Sequence, residues 1–444
     1  MKKTISALLC FCFLSGLLTS CGTKEPLDQK DPITLTMWHV FGSQSDSPMN
    51  DMIDEFNRTT GQEKGVVIKV ISVSNSSDIH TALLAAASGD AGAGSLPDLF
   101  FCYPETAKAI GTDHIVAWNE LFSAVELEEY VGAFIEECMV EGKLIVFPVA
   151  KSSEALFLNA TIFDRFSADT GVTYESLATW EGLFETAAKY FDWSGGKTFL
   201  MHDEILHFCQ INTASLGGQA FSENNLNFSD PLFRIQWEDI AKAFIAGFLR
   251  VEDNYATTCM MTGEIIAAIG STASILYFKD TVTYRDNTTE PLALVALPCP
   301  TTTNGTKMAI QQGVGLSAAV KGDKKKEAAA LLFAKWITES EPNLRFVTQA
   351  GYMPVKKSAF DAIVDFPFEN DAYRGLYETM DKMRREYAFY IPPVVDGYYD
   401  ILLKFFYSTI EVLTDYRDRY ETGQGSLEDL AAESFETLRQ VMVD

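Results

Sequence analysis

The sequence predicts an α/β protein of more than one domain, and three observations carry that prediction. At 444 residues the chain is too long for a single small domain, so two or three are expected. Hydrophobic residues make up 47 % of it, enough for real cores and too many for a disordered chain. After an apolar leader, strand-like and helix-like periods alternate in the order β-α-β-α-β, the pattern of a sheet covered by helices on both faces. Charge narrows the function. Lys and Arg total 35 against 61 Asp and Glu, a net −26. Phosphate backbones and anionic lipid would be repelled, so no nucleic-acid partner is expected.

The elements follow in order. Lys2 and Lys3 precede an apolar run of about 15 residues, shorter than the roughly 20 that span a bilayer, which reads as a secretory signal. Leu18-Thr19-Ser20-Cys21 resembles the bacterial lipobox, whose cysteine is lipidated. Residues 1–20 are therefore expected to be a signal peptide, Cys21 the lipid site and 21–31 a tether, with several acyl chains on one cysteine as a stable anchor. Ile33-Thr34-Leu35-Thr36-Met37-Trp38 alternates like a strand. Met49, Met52, Ile53 and Phe56 share a helix face, with Pro48 at the start and Gly61 beyond the end. Residues 66–73 read as a strand, 79–87 as a helix, and Leu99-Phe100-Phe101 as a buried strand after the Pro97-Asp98 turn. Further on, 144–149 reads as a strand and 180–191 and 235–248 as helices. Ala329, Leu332, Phe333, Trp336 and Ile337 form one helix face, behind Lys324-Lys325-Lys326, which read as solvated. Ser426 and Asp429 resemble a capping box before the last helix.

Most catalytic signatures are missing. The sequence holds no GxxxxGK[ST], no Rossmann GxGxxG after a strand and no GxSxG. His202 and His207 are five apart, not the four of HExxH, so a metal site with Asp203 is not expected. Acidic pairs such as Glu126/Glu128 and Glu136/Glu137 carry no glycosidase signal among so many carboxylates. Cys102, Cys138, Cys209, Cys259 and Cys299 are widely spaced and without CxxC; they read as buried thiols, with one disulfide left open. Neither a cofactor nor a catalytic residue is expected.

Several segments, in order and over nearly the whole chain after the leader, resemble one family. They are Thr36-Met37-Trp38-His39, Leu96-Pro97-Asp98-Leu99-Phe100-Phe101, the run from Lys143 through Pro148 to Leu158-Asn159, and Thr179-Trp180-Glu181. Phe228-Ser229-Asp230-Pro231, Gly263-Glu264 to Gly270-Ser271, Gly313-Val314-Gly315-Leu316 with the Lys324–326 helix start, and Gly351-Tyr352-Met353-Pro354 complete the set. The chain is similar to family-1 extracellular solute-binding proteins, the sugar receptors of ABC importers, which include maltodextrin- and multiple-sugar-binding proteins. The resemblance implies a two-lobed periplasmic-binding-protein fold of type II. Lobe 1 would be 32–148 plus 313–350, and lobe 2 would be 151–310 plus 353–444. Crossovers would fall near Val149 to Lys151, Gln311 to Gly313, and Gly351-Tyr352. Partners would be a sugar and the permease subunits, with the membrane reached only through lipid and the receptor a monomer.

A sugar offers hydroxyls and C–H faces. Burying a hydroxyl unpaired costs on the order of 1–3 kcal/mol, so the cleft must supply carboxylates and amides, while aromatic rings cover the faces. Micromolar affinity needs about 8 kcal/mol. By matched position the resemblance implies binding residues Trp38, His39, Phe41 and Ser43 after the first strand, and Tyr103 and Glu105 after the third. It adds Ser152, Ser153 and Glu154 past the first crossover, His202 and Asp203, Ser271 and Thr272, Gln311 and Gln312, and Tyr398 and Tyr399. Thr272 and Ala273 stand where the family usually places a stacking Trp. Competing expectations are a polyamine, glycerophosphodiester, peptide or metal ligand in the same fold, or a secreted glycoside hydrolase.

Overall fold

The computed structural model describes residues 26–42, 47–73 and 75–443. The leader, Cys21 and Ser43 lie outside the described residues. Nine strands build two sheets: β1 (Ile33–His39), β2 (Val66–Val73), β3 (Leu99–Cys102), β4 (Glu154–Asn159), β5 (Leu200–His202), β6 (Leu249–Arg250), β7 (Ala267–Ser271), β8 (Leu294–Pro298) and β9 (Gly315–Ala318). The first sheet has the order β9-β3-β1-β2, and the second β6-β5-β7-β4-β8. In the first sheet β1 runs parallel to β2 and β3, and β9 is antiparallel to β3. In the second, β4 lies antiparallel between β7 and β8.

Side-chain alternation explains the two-faced burial. Along β4, Ala155 and Phe157 enter one apolar cluster, continuous with the core of the first sheet. Leu156 and Leu158 enter another, which includes Trp237, Phe405 and Leu438. Such strands lose water on both sides and so read as continuous apolar runs. Helix Pro48–Arg58 buries Met49, Met52, Ile53 and Phe56, the face expected from their spacing. Asp98 pins the first sheet: its Oδ2 accepts from the Thr36 amide at 2.9 Å, and its Oδ1 meets Lys326 Nζ at 2.6 Å.

The Lys324–326 run is solvated only in part: the Lys324 side chain is 85 % exposed, while Lys325 and Lys326 are half-buried. Lys324 pairs with Glu327, Lys325 with Asp31 and Lys326 with Asp98. Asp323 caps the helix through the amides of Lys325 and Lys326. Those carboxylates offset the unfavourable placement of three cations at a helix N-terminus. The tether expectation is also corrected at its described end. Leu27 packs on the first core, Asp28 and Asp31 form a bridge, and Ile33 N donates to Gly65 O at 2.8 Å.

The strand expected over 144–149 is paired only at Lys143–Leu144, in a two-residue hairpin with Met139–Val140, and at a single bridge from Phe147 to Leu316. Beyond it the chain passes three times between the sheets, and the passes lie side by side. Ser152 and Gln312 exchange both amide hydrogen bonds, at 2.8 and 3.0 Å, and Lys151 bridges Met353. Gly313 has φ +118° and Gly351 φ +70°, conformations that favour glycine. Residues 353–363, expected in lobe 2, rest on the first-sheet side. Val131 N donates to Val355 O, Lys357 N to Glu129 O, and Phe134 packs on Phe360. Apolar Val355 and Phe360 bury better against the helices of 124–137 than across the crossing.

Candidate functional site

A hollow of about 350 Å³ opens where the two sides meet. The first side contributes His80 and Leu84 from helix Ser76–Ser88, and Glu105, Lys108 and Ala109 from helix Pro104–Ile110. Their spacings, i,i+4 and i,i+3,i+4, put each set on one helix face. The second side contributes Val395 to Asp400, at the Gly397 turn that opens helix Tyr398–Glu421. Lys108 Nζ reaches across to Asp396 at 2.8 Å, and the His80 and Tyr399 rings meet at 4.6 Å between centroids. Two further hollows, of about 360 and 620 Å³, are lined by second-side residues alone. Movement between the sides would leave them unchanged, so they are poorer candidates.

Burial pushes the Glu105 carboxyl up to about 7. It has no side-chain partner among the described residues. Tyr398 is buried, shares hydrogen bonds with Gln210 and packs on Phe221 at 5.7 Å. Burial raises its phenol well above the ordinary range, and the charges of Glu204 and Glu105 add to that. Glu204 is itself pushed up to about 7 by burial. Carboxyls from both sides thus flank Tyr398, able to donate or accept near neutral pH.

Behind Glu105 lies a sealed polar knot. Lys151, fully buried, meets Glu137 Oε1 at 2.8 Å and donates to Gly313 O at 3.0 Å. Gln311, also fully buried, donates to Glu137 and to Ala133 O. Burial lowers the Lys151 ammonium, but the Glu137 carboxylate outweighs it and holds the charge on. Lys151 is thereby committed to the protein and is not open to a ligand anion.

A second buried cluster sits at the crossing end of the second sheet. Glu154 Oε1 pairs with His207 Nδ1 at 2.7 Å. Burial opposes both charges, yet their attraction lowers the carboxyl and raises the imidazole. His202 accepts from the Glu204 amide through Nδ1 and is pushed down to about 4 by burial. Asp203 Oδ1 accepts from the Ala256 amide, and burial raises it to about 6. Its Oδ2 lies 2.4 Å from where a Cβ on Gly270 would stand, so a larger residue there would displace the Asp203 carboxyl. Among the described residues no group of three His, Cys, Asp or Glu could hold a metal ion.

Of the residues the resemblance implied, Glu105, Tyr398 and Tyr399 come together on the hollow. Tyr103 immediately precedes the helix that carries Glu105 and makes no side-chain capping bond to it. Ser152 and Gln312 form the crossing, and Gln311 the knot behind it. Ser153 and Thr272 are buried against each other; Ser271 caps a short 3-10 turn. Trp38 is half-buried against the first core. His39 is buried, bonds Asn50 through Nε2 at 2.9 Å, and is lowered by burial. Phe41 is a core residue, ringed edge-on by Phe101, Phe346 and Tyr352. His80, Lys108, Glu204, Asp396 and Asp400 were not anticipated. The helical spacing of His80/Leu84 and Glu105/Lys108 was a usable signal; the Lys108–Asp396 pairing, 288 residues apart, was not.

Two helix-flanked sheets are joined by three crossings, with a hollow lined from both sides. The chain belongs to the bacterial extracellular solute-binding protein family, whose model matches residues 51–372. No curated protein sequence matches the chain. Solved structures share its fold. An ABC substrate-binding protein of Listeria monocytogenes, in complex with cycloalternan, is 16 % identical at a TM-score of 0.69, covering 93 % of this chain and 100 % of that one. UgpB of Mycobacterium tuberculosis, with glycerophosphocholine, is 17 % identical at 0.68, covering 93 % and 99 %. The cyclic α-maltosyl-1,6-maltose binding protein of Arthrobacter globiformis is 18 % identical at 0.66, again covering 93 % and 99 %.

Proposed function

We propose that this solute-binding protein captures a sugar or oligosaccharide by closing two lobes upon it, and delivers it unchanged to the permease of an ABC importer. The observation that supports this best is the hollow walled by Glu105 from one side and Tyr398 and Tyr399 from the other. Carboxyls serve the rim hydroxyls and rings cover the C–H faces. The lobes are 32–148 with 313–350, to which 353–363 are added, and 151–310 with the remainder of 353–444. The three-pass strip at 151–152, 312 and 353 is the hinge. The protein acts as a monomer outside the cytoplasm, anchored through Cys21. A glycerophosphodiester is the weaker reading, because its phosphate wants free cations while Lys151 and Lys108 are both paired.

The test is a thermal-shift screen of mono- and oligosaccharides, polyamines, glycerophosphodiesters and metals. A bound ligand at 100 times Kd should add about 2.7 kcal/mol of stability. Tyr398→Ala and Glu105→Ala should each weaken the hit while leaving the apo melt cooperative. Unchanged affinity in both would reject this site, and turnover of a glycoside would reject simple capture.

A further inference from the structure

We infer that the cleft selects a polyhydroxylated ligand bearing an amine, an amino sugar, over neutral and anionic saccharides. This rests on the reading above that the shared hollow is the ligand site. Three carboxyl groups line it, Glu105, part-ionised near neutral pH, with Asp396 and Asp400, against one cation, Lys108. Lys108 is spent on Asp396 at 2.8 Å. Neither Glu105 nor Asp400 has a salt bridge among the described residues. His80 is lowered by burial, so it adds no cation at neutral pH. Lys151, the next cation inward, is closed off by Glu137 and Gly313 O. The lining therefore carries surplus negative charge beside rings of Tyr398, Tyr399 and His80, and an ammonium is attracted both to carboxylates and to ring faces. A neutral sugar leaves the surplus uncompensated, and an anion is repelled by it.

The experiment is titration calorimetry on the full chain near pH 7.5 with a glucosamine dimer, its N-acetylated counterpart, maltotriose and spermidine. Acetylation removes the charge and keeps the ring, and spermidine keeps charge without hydroxyls. The glucosamine dimer should bind at least about tenfold more tightly than the acetylated dimer. Glu105→Gln keeps hydrogen bonding and removes charge. It should cost the amine about tenfold and maltotriose no more than about threefold. Asp400→Asn should shift preference in the same direction, which guards against a folding defect in one variant. An acetylated or neutral sugar binding as tightly as the amine, a preference that survives both variants, or spermidine binding most tightly overturns the inference while leaving solute capture intact. Failure of the glucosamine dimer to bind also overturns it. A ligand whose affinity ignores Tyr398→Ala would instead reject the cleft itself.

Discussion

At the scale of single residues, the cleft carries groups the fold would be more stable without. Glu105 has a folded-state pKa raised to about 7 by burial, above its unfolded value. The native protein therefore binds the extra proton, and stability falls as pH rises from the unfolded value through the folded one. Glu105→Gln removes that loss. Its melting temperature should exceed wild type at pH 8, with the gap closing at pH 4, as scanning calorimetry at the two pH values would read. Lys151 and Glu137 behave differently, since each neutralises the other in a sealed site. Lys151→Met alone should cost about 3–5 kcal/mol in urea unfolding, and adding Glu137→Leu should recover much of it. Phe41 shows why ring chemistry alone misleads. An aromatic in a loop after a strand suits sugar stacking, and only the three rings around it, from distant positions, show that it is core. Tyr398 was legible because it opens a late helix, at a position where the resemblance implied an aromatic.

At the scale of elements, legibility followed periodicity. The helices Pro48–Arg58 and Ser76–Ser88 and strands β1 to β3 fell close to where spacing placed them, because each buries one face or both against its neighbours. The crossing strip was harder. Residues 145–149 are as apolar as any strand, yet they pair at one bridge only, on the outer edge of β9, and Pro148 has no amide hydrogen with which to extend a ladder. Close packing there is severe. A Cβ on Gly315 would stand 2.5 Å from Val146 Cγ1 and 2.7 Å from Phe147 O. Gly315→Ala should therefore lower stability by about 1–3 kcal/mol, measured by denaturant titration. Helix Ser340–Ala350 ends at Gly351, where an added Cβ would meet Thr272 O and Ile275 Cγ2, both at 2.6 Å. That contact joins the two sides, so Gly351→Ala should weaken ligand binding more than it weakens the fold.

At the scale of the whole molecule, the three side-by-side passes, antiparallel where they bridge, couple the halves without a covalent clasp; all five described cysteines are free and buried. Closure on ligand should appear in small-angle scattering as a smaller radius of gyration at saturation. An unchanged radius would mean that the ligand enters a closed form. Net charge, −26, says nothing of which carboxylates face the cleft, because the local sign depends on which pairs are already satisfied.

The late return of β9 has a consequence for biogenesis. Cys102 on β3 and Ser317 on β9 are neighbours 215 residues apart in the chain. During translation every strand of the second sheet, through Pro298, emerges before the first sheet can be finished. A nascent or truncated polypeptide ending short of residue 315 presents β3 as a bare edge, ready to pair with another chain.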